Sequence, residues 1–133
     1  MAIQLSVAVR NARINAVETT IGTSPKLELR TGAQEANCAA AATGTLLATL
    51  SLPSDWAGAA SSGASAIATG PWTGTCSTGG TVAHFRLTDT AGTTCHMIGS
   101  VGLGTGDLSM DNNVITATQA LSIPTWTTTD ANA

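Results

Sequence analysis

From Ser6 to Thr20 the chain has no Gly or Pro, and Val9, Ala12, Ala16 and Val17, followed by Ile21, fall near i, i+3, i+4 spacing. One apolar stripe of that period predicts a helix over about residues 6–20. Ser6 is placed to cap its start, and Gly22 with Pro25 beyond is placed to stop it. The helix is only moderately apolar, so it is expected to lie against a sheet. After Pro25 the period drops to two. Lys26-Leu27-Glu28-Leu29-Arg30 alternates without a break, as a strand with Leu27 and Leu29 inward does. Residues 33–44 are small and polar and read as a loop carrying Cys38. Thr45 to Leu52 is a second strand, stopped by Pro53, and Trp56 follows in a turn.

Residues 57–80 are dominated by Ala, Ser, Gly and Thr, with Ile67 and Trp72 as their larger apolar members. Weak strands are expected at Ala64 to Thr69 and near Trp72, since a linker would leave the Trp72 indole in water. Thr81 to Thr88 is the clearest strand. Val82, His84 and Arg86 point one way, as a polar face, and Ala83, Phe85 and Leu87 point the other. Asp89 to Gly92 is a turn, and Thr93 to Gly102 runs back as an antiparallel partner. Further strands are expected at Leu108 to Met110, Val114 to Thr118 and Ala120 to Thr129. In the last of these Leu121, Ile123 and Trp126 face inward and Pro124 marks an edge or bulge.

One helix followed by about seven or eight short strands at roughly 8–12-residue spacing predicts a mainly β domain. The expected architecture is an antiparallel β-sandwich or jelly-roll-like fold with an N-terminal α-helix, the strands filling about residues 25–130. No internal repeat or composition break divides the chain, so residues 1–133 are read as a single domain.

Composition changes the picture of the surface. Hydrophobic residues make up 43% of the chain but charged ones only 10%, against about 25% in typical soluble domains. A disordered chain would show the opposite balance. With a net charge of −3, repulsion does little to keep copies apart. The surface is therefore wetted by hydroxyls and backbone, or covered by other protein. The five basic residues, Arg10, Arg13, Lys26, Arg30 and Arg86, are too scattered to track phosphates, so nucleic acid is not expected as a partner. No run approaches the length of a membrane span. Met1 to Val9 lacks the basic region and cleavage site of a signal peptide, so synthesis in a cytoplasm is expected.

Candidate chemistry is sparse. Cys38, Cys76 and Cys95 form no CxxC pair and are expected as buried or half-buried free thiols; a disulfide with one thiol left over is disfavoured in a reducing cytoplasm. His84 and His96 fall on paired strands and, with Cys95 or Cys76, make the one conceivable metal or Cys–His site. A structural role fits them better. Asp107 and Asp111 lack calcium-loop spacing and read as solvated turn residues. Gly102, Gly104 and Gly106 read as a bend between strands, since GxGxxG spacing is absent. No catalytic residue, cofactor or metal is expected. Trp56, Trp72 and Trp126 carry most of the large aromatic surface. They are read either as core plugs or as the contact between subunits, where tryptophan is enriched.

Several segments resemble small structural proteins encoded among bacteriophage and prophage virion genes. They are Val9-Arg10-Asn11-Ala12-Arg13, Glu18-Thr19-Thr20-Ile21-Gly22, Leu29-Arg30-Thr31-Gly32-Ala33, Ala36-Asn37-Cys38-Ala39-Ala40, Leu50 to Trp56, His84-Phe85-Arg86-Leu87 and Thr129 to Ala133. The resemblance implies a virion component and transfers no catalytic residues. In size, strand content and low charge the chain is similar to capsid cement, or decoration, proteins, which sit outside the shell as dimers or trimers. By that analogy the expected partners are the major capsid protein and other copies of this chain, as homodimer or homotrimer, on the capsid exterior. The alternatives are a phage tail component (tube or fibre-associated) and a carbohydrate-binding module using Trp56 and Trp72.

Overall fold

A computed structural model describes residues 3–130. The last three residues of the Thr129 to Ala133 segment lie outside the described residues. The chain is mainly β with one N-terminal helix, α1 (Val7–Ile21). The Ser6 hydroxyl accepts from the Val9 N–H at 3.3 Å, and the Gly22 N–H closes the helix on the Glu18 carbonyl. Both caps fall where the sequence puts them.

The buried side of α1 does not. Ile14 and Ile21 are buried and Val17 packs on the core, whereas Val9, Ala12 and Ala16 are exposed. The inward line is Arg10, Ile14, Val17 and Ile21. Arg10 takes an inward position because its Nη1 donates to the Asp130 carbonyl at 3.1 Å. Asn11 Oδ1 accepts from the Gly63 N–H and Asn15 Oδ1 from the Ala60 N–H, each at 2.8 Å. The helix is held along this side by polar contacts to loop backbone, and a hydrophobic stripe misses such anchors.

The main sheet contains β1 (Lys26–Arg30), β2 (Leu46–Ser51), β6 (His84–Thr88), β7 (Cys95–Gly102) and β8 (Leu108–Ser109), in the order β2-β1-β6-β7-β8. It curls into a half-barrel. Three two-stranded sheets complete the fold: β3 (Ala64–Ala66) with β11 (Thr127–Thr129), β4 (Trp72–Thr75) with β10 (Ala120–Ile123), and β5 (Gly80–Thr81) with β9 (Val114–Ile115). The expected final strand is split at Pro124, which has no N–H to give a ladder, and its halves join different partners. The strand expected over Thr81 to Thr88 is likewise divided into β5 and β6.

The sheet is mixed, and no clear jelly roll is formed. The β6–β7 hairpin is antiparallel as expected, but β8 runs parallel to β7. A parallel return normally needs a long crossover. Here Gly104 and Gly106, at φ 68° and 82°, let the chain reverse within a few residues.

One apolar cluster spans these sheets. Leu27 and Leu29 of β1, Leu47 and Leu50 of β2, and Phe85 and Leu87 of β6 belong to it, with Ile115, Leu121 and Ile123 from the small sheets. At its centre Trp56, Trp72 and Trp126 pack as a trio, with ring centroids 5.5–6.2 Å apart and tilted planes. Such tilted pairs add to the large area each indole buries. Phe85 lies opposite Gly99 on β7. A Cβ at Gly99 would come within 2.6 Å of the Phe85 ring.

Gly99→Ala should therefore destabilise the protein by about 1–3 kcal/mol, the range for forcing an extra carbon into a packed core. Trp72→Ala should cost about 3–5 kcal/mol. Ala12→Ser, on the exposed side of α1, should stay within about 0.5 kcal/mol. Urea unfolding followed by circular dichroism checks all three.

Candidate functional site

The chemistry-bearing side chains gather on one face of the main sheet. Strand alternation puts Phe85 and Leu87 on the core side of β6 and His84, Arg86 and Thr88 on the other. Across the ladder, Glu28 of β1 pairs with Arg86 and Arg30 with His84. The sequence leads one to expect a polar, solvated face. The face is polar, but all five residues of β6 are buried, because the β1–β2 connection, residues 31–45, folds over it.

That connection is fastened from within. Glu35, the one charge between Arg30 and Asp55 in the sequence, has a fully buried carboxylate. Its Oε1 accepts from the Thr43 N–H at 2.7 Å and from Arg86 Nη1 at 3.2 Å. Its Oε2 faces His84 Nε2 at 3.5 Å. The other His84 nitrogen, Nδ1, lies 2.8 Å from the Gly32 carbonyl. A carbonyl only accepts, so Nδ1 carries a proton. Arg86 Nη1 also donates to the Ala40 carbonyl at 3.3 Å, and Arg30 binds Glu28 through Nε at 3.0 Å and the Thr43 carbonyl through Nη1 at 3.3 Å. Gly44 ends the loop at φ 67°, where any Cβ would collide with the Thr31 carbonyl. His84, Arg86 and Arg30 all reach toward the loop, and such partners offset the desolvation of a buried ionic layer.

Burial on its own would raise the Glu35 carboxyl's pKa. The Thr43 and Glu35 backbone N–H groups, with the charge of Arg86 and the His84 ring, outweigh it and hold the group at about 2. Elsewhere, the Ser100 N–H and hydroxyl hold Asp107 below the usual carboxylate range, and the Thr93 and Thr94 N–H groups do the same for Asp89. Asp107 thus ties β7 to the turn before β8, while Asp111 is exposed.

The structure separates the other sequence candidates. His84 is opposite Ser100, whereas His96 lies in the bulge where β7 skips a residue against Leu87 and Thr88. His96 lines a shallow cleft beside Arg13 and Val17 of α1. Cys76 is buried elsewhere, its thiol donating to the Thr78 carbonyl at 3.0 Å. Cys38 and Cys95, both free and half-buried, line one cleft of about 370 Å³ at the open end of the polar layer, with Arg30, Arg86 and Thr88. Of the two readings the sequence left open for the tryptophans, burial matches the core plug: Trp56, Trp72 and Trp126 are interior at 1, 2 and 7% exposure. Trp56 also turns its indole N–H to the Gly22 carbonyl at 3.0 Å. Among the described residues, no three His, Cys, Asp or Glu side chains gather to hold a metal, and no helix is long and apolar enough to cross a membrane.

Sequence reasoning missed Glu35. Its signal was its isolation, a single carboxylate in a run of small neutral residues. What the layer does is anchor. Sealed at 0–1% exposure, the Glu35–His84 pair holds the loop and is closed to a substrate. Because the unfolded value of 4.5 lies above the folded one, the stabilisation is complete above about pH 4.5 and is lost as pH falls toward about 2. Glu35→Gln should flatten that part of the stability–pH curve and cost about 3 kcal/mol at pH 7, since Arg86 would be left buried without its counter-charge. Urea titrations between pH 2 and 7 check both effects. No family model matches the chain, and neither a curated protein nor a solved structure does.

Proposed function

We propose that this chain is a bacteriophage virion structural protein that coats the capsid as a cement protein. The observation that carries the reading is where its few charges go. Arg10, Arg13, Arg30 and Arg86 all bind protein oxygens. Glu28, Glu35 and Asp130 sit in ion pairs, and Asp89 and Asp107 cap nearby backbone. What faces outward is mostly Thr, Ser, Ala and Gly. A surface so short of free charge has little to oppose close association, as a protein that spends its life against other protein requires. The sequence resemblance to phage virion proteins points the same way.

The partners in this reading are the major capsid protein and other copies of the chain, as a homodimer or homotrimer, on the capsid exterior. With the tryptophans interior, the contact between copies falls to exposed apolar side chains, and Ile3, Val7 and Val9 around the start of α1 are 46–83% exposed. Many weak contacts repeated over a shell would stabilise it by mass action. The sugar-binding alternative relied on Trp56 and Trp72 at the surface, and both are buried.

Cryo-electron microscopy of particles carrying the chain tests the reading. Density for it on the outer capsid surface is the expected result. Density only in a tail tube or fibre would replace cement with the tail alternative, and no density in the particle would end the virion reading.

A further inference from the structure

We infer that Cys38 and Cys95 are the two halves of a disulfide that closes when the protein meets an oxidant, stapling the loop over the polar layer to the head of β7. This goes beyond the virion reading and does not depend on it.

The geometry comes from two directions. Cys95 opens β7 opposite Thr88. Cys38 sits in the turn of residues 37–40, where Asn37 Oδ1 accepts from the Ala39 and Ala40 N–H groups at 2.9 and 3.0 Å. Arg86 pins that turn over the sheet through the Ala40 carbonyl. The two thiols therefore line one cleft, both half-buried. Cys76 is excluded because it is buried and committed to the Leu47 and Thr78 carbonyls.

The oxidant is a small-molecule disulfide such as oxidised glutathione. Exchange starts at Cys38, whose turn is open to solvent on both sides at Asn37 and Ala39, whereas Cys95 is held in strand β7 and its thiol is pushed up to about 11, by burial first and then by Cys38. Cys38 gives up its proton and its sulfur attacks the small disulfide, whose S–S bond breaks and releases one thiolate. A mixed disulfide on Cys38 results. Cys95 then loses its proton and attacks the Cys38 sulfur. The protein S–S bond forms, the second small thiolate leaves, and the two thiolates take up the two protons. The protein loses two protons and two electrons, and the small disulfide takes them up to become two thiols.

The test uses the full chain, fully reduced and then incubated with oxidised glutathione. After thiol blocking under denaturing conditions, intact mass should show loss of two hydrogens with no glutathione retained and one blocked thiol. Peptide mapping should join Cys38 to Cys95 and find the block on Cys76. Cys76→Ser should close the bridge as the parent does, whereas Cys95→Ser should accumulate a glutathione adduct on Cys38. The oxidised parent should melt about 5 °C or more above the reduced form, and dithiothreitol should reverse the shift. A bridge through Cys76, adducts that persist on both Cys38 and Cys95, bridges only between chains, or no reaction would each overturn the assignment. The mapping and the Cys76→Ser variant decide the matter even if Cys95→Ser fails to fold.

Discussion

Strand β6 has no side facing water, and both of its faces must be satisfied inside the protein. The first face is simple: Phe85 and Leu87 enter the same apolar cluster as Leu27 and Leu29 from β1, and burial of that surface drives folding. The second face carries His84, Arg86 and Thr88. A buried guanidinium with no counter-charge is among the costliest errors a fold can contain. Glu35 meets that requirement, and it can do so only if residues 31–45 fold back across the sheet. The position of the loop, the shape of the cleft beneath it and the meeting of Cys38 with Cys95 all follow from that pairing.

The same demand shapes the outside of the molecule. With thirteen Lys, Arg, Asp and Glu residues in all, each side chain drawn into an internal contact leaves the surface closer to neutral. Even α1 is attached partly in this way. Arg10 and Arg13 both engage Asp130, through its carbonyl and its carboxylate, so the helix joins the start of the chain to its end. The apolar share of its attachment is modest, with Ile14 and Ile21 its buried residues. A helix tied by hydrogen bonds keeps apolar side chains on its outer surface, which connects its packing to the proposed contact between copies.

Aromatic packing makes the complementary decision. Trp56 follows β2, Trp72 opens β4 and Trp126 lies between β10 and β11. Three segments far apart in sequence converge because each carries an indole too large to leave in water. Their convergence explains how the Ala-, Ser- and Gly-rich region 57–80, poor in apolar bulk, is still ordered into β3 and β4. It also removes the tryptophans from the surface, so the outer chemistry of the protein rests on small hydroxyl and methyl groups.

Local rules were enough for much of this. Period-two alternation marked β1, β2 and the β6–β7 hairpin, because a strand with one buried face must alternate. Ser6 and Gly22 marked the ends of α1, because helix ends need partners for their unpaired backbone groups. Pro124 marked an irregularity in the last strand, because proline gives nothing to a ladder, though not that the strand would divide there into β10 and β11. The mainly β class with one leading helix follows from these signals alone. Tertiary structure decided what alternation cannot express. A period of two separates the faces of β6 but does not say what covers each, so the polar face was legible and its burial was not. Glu35 looked like any loop carboxylate until the fold brought Arg86 to it. The parallel seat of β8, the inward Arg10 and the meeting of the three indoles likewise depend on contacts between distant parts of the chain, and no local pattern encodes which distant group will arrive.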